Sequence, residues 1–582
     1  MRPRGLWLSA AMIVGVVALI YSNTFSVPFL FDDNPSIGGN QTIQQLWPIG
    51  PLLDPPCHGE AVQRRPVVNV SLAINYAISK TEPWSYHAFN LVAHLSAALL
   101  LLGIVRRTLL RIPGNPNTPQ RDLDHLAKNS LLLATLVALI WAVHPLLTEA
   151  VTYTIQRTEV LAGLFYLLAL YCVLRGSSSR HPLPWYTAAA VSCALAIGSK
   201  EAAISAPLVI LLYDRVFLTA SWRETFRRRW PLYVAMAASW AIPLVMLRHG
   251  HDGAAPFGHG RQALDYLLAQ FGVLSHYLRL CYWPCPLVVD YGVYKPQTIG
   301  QILPYALLIG TLVIGVILAL RRQPWLGFLG VAFFAILAPS SGMVPILQQV
   351  AAEKRMYLPL AAVVIATVMS VYALGRRLLD RRWPQSEDQP AYVRRLQAGL
   401  LGAMLVLLGS MTYIRNHDYR AAITLWEDTV RKCPENARAQ NNLGFAYESI
   451  GLVEDAVICY RDALKLNIQP PTPHRNLGRA LVKCGDVKEG LALLKKAVAF
   501  APNDASAQAD LGAALLSLGR AEDALPHLQK AVTLDPRSPD PHNNLGALLM
   551  RRGQFDQAIA QFRRALDLRP QFFEAQVNLQ KA

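Results

Sequence analysis

Two adjacent carboxylates, Asp32 and Asp33, stand in the run FLFDDNPSI. A carboxylate on a loop can take the proton of an attacking hydroxyl, and a pair can bind a divalent ion. The letters DDNP are also good turn chemistry, so the pair alone leaves both roles open. Further ionisable residues recur along the chain: Arg64 and Arg65 ahead of RPVVNVSLAINYAI, and His144, Glu149, Arg157 and Glu159 in HPLLTEAVTYTIQRTE. Lys200 and Glu201 follow in GSKE, then Glu353, Lys354 and Arg355 in AAEKRMYLPL. Guanidinium groups grip phosphate oxygens two at a time, and lysine acts as a point charge. Gathered together, these groups suit an anionic substrate. Taken singly, each can be a structural ion pair, such as Lys200 with Glu201.

The elements that must gather them are membrane helices. Hydrophobic residues make up 53% and charged residues 16% of the 582, with a net charge of +17. Typical soluble chains carry about 25% charged residues. An oily, basic chain is neither a disordered tail nor a disulfide scaffold, and its charge must be located before it speaks for nucleic acid. Residues 1–417 hold 34 basic and 19 acidic residues, whereas 418–582 are near neutral with 21 and 19. The first part also carries about eleven apolar runs of spanning length, near 6–25, 87–105, 131–148, 158–174, 184–199, 202–218, 231–248, 302–320, 324–340, 357–375 and 396–414. A further interrupted apolar stretch covers 262–289. The first run follows Arg2 and Arg4 but has no small-residue cleavage site, so it reads as a retained helix.

Orientation follows the loop cations. With the N-terminus inside, inner loops hold 22 Lys/Arg and outer loops 12, and every ionisable cluster named above falls on the outer face. Eleven spans put the C-terminal part outside too. Ionisable groups near spans are costly and therefore point to function. Of the eight cysteines (57, 172, 193, 281, 285, 433, 459 and 484), Cys281 and Cys285 could pair near the outer face, but free thiols fit equally well. The sequons at Asn40 and Asn69 are too weak to argue for an endoplasmic reticulum location.

After residue 437 a 34-residue period governs the chain. Leu-Gly recurs at 443/444, 477/478, 511/512 and 545/546, followed by Ala456, Gly490, Ala524 and Ala558, then Tyr460, Leu494, Leu528 and Phe562. Pro502, Pro536 and Pro570 close three units. Small residues let paired helices approach and proline ends each pair, which is the pattern of tetratricopeptide repeats. A half-unit at 418–436, repeats at 437–470, 471–504, 505–538 and 539–572, and a capping helix at 573–582 account for the region. Asn441, Asn442, Asn543 and Asn544 lie where they can face the groove or simply cap turns and meet water; Asn442 and Asn544 are the candidates for partner binding.

FLFDD, RPVVNVSLAINY, YHAFNLVAHL, HPLLTEAVTYTIQRTE, SKEAA…LLYD and EKRMYLPL, in this order and followed by such repeats, resemble the transmembrane and tetratricopeptide-repeat O-mannosyltransferases and their bacterial relatives, of the GT-C superfamily. The resemblance implies an all-α fold: a GT-C-like helical bundle over 1–415, then a repeat solenoid over 416–582. It implies an inverting transfer of a sugar (mannose in the named family) from a polyprenyl-phosphate donor to a protein or glycan hydroxyl on the extracytoplasmic face. Asp32 and Asp33 then hold the catalytic position, with Asp33 preferred as base. Arg65, Arg157, Lys200 and Arg355 are candidates for the donor phosphate, supported by His144, Glu149, Glu201 and Glu353. No cofactor is required, although some superfamily members use a divalent metal. Partners are the lipid-linked sugar, the acceptor, a protein at the repeats and the bilayer, and not nucleic acid. Residue usage points to a bacterial inner membrane with periplasmic repeats. A non-enzymatic repeat scaffold is the competing reading, and a transporter the next; the latter calls for ionisable groups at the bilayer midplane, whereas these sit at span ends.

Overall fold

The computed structural model describes residues 3–55, 61–111, 120–248, 260–292, 298–343, 349–382, 391–466, 471–569 and 571–582. Arg2, Cys57 and Pro570 lie outside them. The chain forms two compact units, Met1–Ala421 and Ala422–Ala582. Among the described residues every regular element is a helix.

Among the described residues of the first unit, eight helices are long and apolar enough to cross a membrane: Arg4–Ser26, Trp84–Leu109, Asp124–Ala142, Thr154–Gly176, Ile299–Arg322, Pro324–Ser341, Pro359–Leu378 and Arg395–Asp418. Leu183–Ser199, Ala206–Phe217 and the broken pair Trp222–Ala238 and Ala241–Arg248 occupy three further apolar runs. On Ile299–Arg322, side chains such as Leu307 and Ile314 are more than half exposed, which is stable only where the solvent is lipid. The interrupted stretch near 262–289 becomes the amphipathic helix Gly260–Tyr282, whose Tyr266 and Tyr277 hydroxyls donate to the carbonyls of Ser340 and Ala352.

One expected span is shorter than its apolar run. The run 131–148 stops being helical at Ala142, because the residue before a proline is driven out of the helical region and His144, ahead of Pro145, is extended. Residues 145–156 instead make three single turns, Pro145–Leu147, Thr148–Thr152 and Thr154–Gln156, all buried. Buried irregular backbone has few partners of its own and must find them in side chains. The outer carboxylates meet that need.

The second unit repeats one helical pair four times: Ala437–Ser449 with Val453–Lys465, Thr472–Lys483 with Val487–Phe500, Ala505–Ser517 with Ala521–Leu534, and Pro539–Arg551 with Phe555–Leu568. Ala422–Lys432 precedes them and Phe573–Lys581 follows. A side chain on Gly546 would stand 2.7 Å from the ring of Phe562, and one on Gly512 would stand 2.6 Å from Leu528, so the glycine of each Leu-Gly is what lets the pair close. The turn inside each pair needs a left-handed residue, supplied by Gly451, Gly485, Gly519 and Gly553 at φ of +72° to +90°. That second glycine series has the same 34-residue period and was readable in the sequence.

Candidate active site

The acidic pair sits on a strained turn just past the first helix. Phe31 has φ +36°, a left-handed value that a bulky residue adopts only under external constraint. Asp33 supplies the constraint. It is fully buried, accepting the N–H of Leu30 at 2.9 Å and the N–H of Ile155 at 2.8 Å. Burial pushes its carboxyl up to about 8, against the pull of those two amides. Asp32 is exposed, and its backbone N–H donates to the Tyr153 hydroxyl at 3.0 Å. Asp33, the preferred base, thus points inward with one backbone N–H on each oxygen, whereas Asp32 is exposed.

Arg157 is likewise enclosed. Its guanidinium donates to Asn75 Oδ1 at 2.7 Å, Ser71 Oγ at 3.3 Å and the Tyr86 carbonyl at 3.2 Å, and lies over the rings of Tyr86 and Phe89. It bolts the helix Pro66–Ser79 to the start of Arg157–Gly176 and offers no face to a phosphate. Such enclosure argues against a part in phosphate binding.

The other cations gather two residues further along the same helix. Lys200 pairs with Glu159, not with its neighbour Glu201. The Lys200 backbone is extended (φ −158°, ψ 135°), and successive side chains on extended backbone point to opposite sides. Glu201 turns instead to Arg65, which donates to both of its oxygens at 2.9 and 3.3 Å. Burial raises Glu201, but Arg65 and Lys200 outweigh it and hold the carboxyl down at about 2. Burial lowers Lys200, with Glu159 opposing. Lys200 and Glu159 line a small cleft of about 30 Å³ together with Arg355, Tyr166, Tyr357 and Pro359. Arg355 donates to the carbonyls of Gln349 and Val350 at 2.6 and 3.0 Å, which fixes it at the cleft wall. Tyr357 is set from behind by His94: the His94 Nε2–H donates to the Ala142 carbonyl, leaving Nδ1 to accept the Tyr357 hydroxyl at 2.9 Å.

Three supporting residues hold loops together. Glu149 accepts the Lys354 N–H at 3.0 Å and pairs with the Lys354 ammonium at 3.3 Å. Glu353 accepts the Val288 N–H and the Tyr291 hydroxyl, the latter at 2.8 Å, and burial raises its carboxyl to about 7. His144 uses one ring nitrogen on the Cys281 carbonyl and the other on the Leu146 N–H, while burial lowers it to about 4. Neither nitrogen is left for proton transfer. Cys281 and Cys285 are free thiols. Both sequon asparagines are buried in one network: the Asn40 side-chain amide donates to Asn69 Oδ1 at 2.9 Å, and that of Asn69 to Thr42 and the Leu52 carbonyl. Among the described residues no group of three or more His, Cys, Asp or Glu is placed to hold a metal ion.

In the repeat unit, a groove of about 660 Å³ is lined by Asn544 among others. Asn442 accepts the amide of Asn441, which in turn accepts that of Asn476. Glu448 holds the groove wall, taking Arg479 at 2.8 Å and Lys483 at 2.7 Å.

Sequence reasoning brought the right loops together but missed Tyr153, Asn75 and Tyr357, whose partners lie 82 to 263 residues away. Glu159, within a quoted run, was passed over as the lysine's partner because Glu201 was nearer in sequence.

A family model described as dolichyl-phosphate-mannose-protein mannosyltransferase matches residues 126–247. Tetratricopeptide-repeat models match 408–471, 475–539 and 515–582. The chain is 23% identical over 508 residues to the human "Protein O-mannosyl-transferase TMTC3", covering 79% of this chain and 51% of that protein. It is 25% identical over 507 residues to the mouse "Protein O-mannosyl-transferase TMTC4", covering 78% and 66%. The chain thus spans about half to two-thirds of the length of these curated relatives. Among solved structures, "YrrB: a TPR protein with an unusual peptide-binding site" aligns at 21% identity over 33% of this chain and 99% of that one, with a TM-score of 0.23. A thermophilic tetratricopeptide-repeat protein of Thermus thermophilus, TTC0263, aligns at 23% over 31% and 94%, with a TM-score of 0.26.

Proposed function

We propose that this chain, a relative of the protein O-mannosyl-transferases, is an integral-membrane glycosyltransferase that moves a sugar, mannose by kinship, from a polyprenyl-phosphate donor to a protein hydroxyl. The observation that carries the reading is the exposed carboxylate of Asp32, held on a strained turn whose partner segment leads within four residues to the Glu159–Lys200 cleft. The cleft combines cations with small apolar walls, as an isoprenoid phosphate requires. Asp32 takes the proton of the acceptor hydroxyl as its oxygen attacks the anomeric carbon. The phosphate leaves on the opposite side in one displacement, with inversion. Lys200, Arg355 and Arg65 neutralise the charge that grows on it. Asp33 positions Asp32 and does not touch the reacting atoms.

The reaction faces the outer side of the membrane, as the loop cations suggest, and the repeats take the acceptor polypeptide or a partner. A bacterial inner membrane with periplasmic repeats fits the residue usage. No divalent ion is needed in this scheme. The test is transfer from a polyprenyl-phosphate sugar by the purified full chain. Asp32→Asn should abolish turnover, by at least about 100-fold, with the melting temperature unchanged. Retained turnover in that variant removes Asp32 as base.

A further inference from the structure

At the other end of the membrane unit a short segment takes no part in the cleft or the acidic turn. The helix Leu183–Ser199 ends beside Lys200, and its 17 residues make it about 25 Å long. Its first turn therefore lies most of a bilayer's hydrocarbon thickness from the cleft. There the Tyr186 hydroxyl accepts the Arg229 Nε–H at 2.9 Å. Arg229 also pairs with Asp214, whose second oxygen takes the Tyr233 hydroxyl. Arg229 is not helical (φ −139°, ψ 18°) and stands two residues before Pro231. A proline cannot donate to the preceding turn and its ring crowds the carbonyl four residues back, so the helix kinks here. One turn earlier Thr225 is buried, its hydroxyl 2.5 Å from that of Thr219.

Thr225 and Arg229 thus fix which way the segment faces. Outward stand Trp222, Phe226 and Trp230, each about half exposed, with the first two rings stacked 6.3 Å apart. Val234, beyond the kink, is exposed as well. Arg223, Arg227 and Arg228 lie exposed among these rings. Glu224 answers Arg228 at 3.0 Å, whereas Arg223 and Arg227 have no carboxylate partner among the described residues. We propose that Trp222–Trp230 is an interfacial anchor that binds the headgroups of anionic phospholipids, on the membrane face opposite the cleft.

Each half of the segment asks for this occupant. Exposed indole and phenyl rings are costly in water and favourable at headgroup level, where an apolar body meets a wet edge. Guanidinium groups beside them match the paired oxygens of a headgroup phosphate. A zwitterionic headgroup carries its own cation and leaves little charge for the arginines to meet; an anionic one leaves a full negative charge. The exposed side chains also continue through Val234 into the apolar run 231–248. A lipid spans both parts, headgroup on the arginines and chains along the apolar run, as an interfacial segment requires.

The experiment reconstitutes the full chain in phosphatidylcholine vesicles with graded phosphatidylglycerol. Quenching of tryptophan fluorescence by either lipid, brominated on its acyl chains, reports which one lies against the protein. The part of the signal lost in Trp222→Phe/Trp230→Phe belongs to this segment. That part should favour phosphatidylglycerol, and the preference should shrink as salt rises. Arg223→Gln and Arg227→Gln should each lower it by about fivefold, the scale of one cation at an anionic surface, with the melting temperature unchanged. Arg223→Lys should keep most of it, and Arg321→Gln/Arg322→Gln, an exposed pair elsewhere, should keep all of it. Equal quenching by the two lipids, or an equal loss in the Arg321/Arg322 control, overturns the inference. Quenching by neither lipid means that protein covers the segment, and displacement by free inorganic phosphate means a soluble-anion site; both outcomes overturn it too.

Discussion

The membrane unit and the repeat unit solve the same problem, burying polar backbone at the ends of helices, over very different distances. The membrane unit does it with charges and at long range. Asp33 holds Ile155 across 122 residues, Glu149 holds Lys354 across 205, and Glu353 holds Val288 across 65. In order, these carboxylates staple the loop after the first helix to the 145–156 turns, those turns to the 353–356 turn, and that turn to the segment before Ile299. The repeat unit does it at short range, with neutral groups and with aspartates that cap their own helix, as Asp504 does for Ser506 and Ala507. The Gln508 side chain caps the Pro502 carbonyl and His542 caps that of Pro536, each six residues back. Asn441 meets Asn476 and Asn543 meets Asn578, each 35 apart. A repeat can meet every need from its neighbour, whereas loops between membrane helices can reach partners only across the bundle.

The contrast predicts where damage spreads. The largest effect belongs to Asp33→Ala, which strands two buried amides at about 1–3 kcal/mol each. The melting temperature of the membrane unit should fall and transfer should be lost with it, unlike Asp32→Asn. A variant that melts like wild type would mean that Asp33 is no staple. Gly546→Val is next, forcing a side chain into Phe562 at a cost of about 1–3 kcal/mol. Its effect should stay within the repeats, read as hydrogen exchange at 539–582 with exchange of the membrane helices unchanged. Gly310→Ala, where a side chain meets nothing, serves as the silent control.

The smallest effect is in pH. Asp33 and Glu353 have folded pKa values of about 8 and 7, raised above their ordinary values. A raised carboxyl binds its proton more tightly when folded, so its stabilisation is complete at low pH and is lost as pH rises through the folded value. His144, lowered by burial, adds a slope of the opposite sign, but only below about 6.5. In the window from roughly 6.5 to 8.5 each of the two carboxyls contributes at most about 1.4 kcal/mol per pH unit, with Lys200, lowered by burial, opposing them. Stability of the full chain in detergent should fall across that window, and Glu353→Gln should flatten the slope. A flat wild-type profile would mean that the two groups are ionised when folded.

How much could be read beforehand divides along the same line. The repeat boundaries, the close Leu-Gly contacts and the small residues opposite them follow from period alone, because each contact lies within about one unit. In the membrane unit the loops that meet were legible from cation placement and apolar runs, yet the roles inside them were not. Asp32 and Asp33 are the same residue type one position apart, and only the turn at Phe31 sends one inward and the other out. Lys200 has a carboxylate beside it in sequence, but extended backbone gives it a different one.

The sequence by itself determined the two-part architecture, the helical runs, the repeat register and the set of charged loops, since hydropathy and periodicity are local and additive along a chain. Tertiary structure alone decided which carboxylate is exposed, which arginine is a bolt and which lines a cleft, and which acid faces which base. Those are questions of direction and burial, and a side chain's direction is settled by the backbone it sits on and by the segments, a hundred or more residues away, that fold against it.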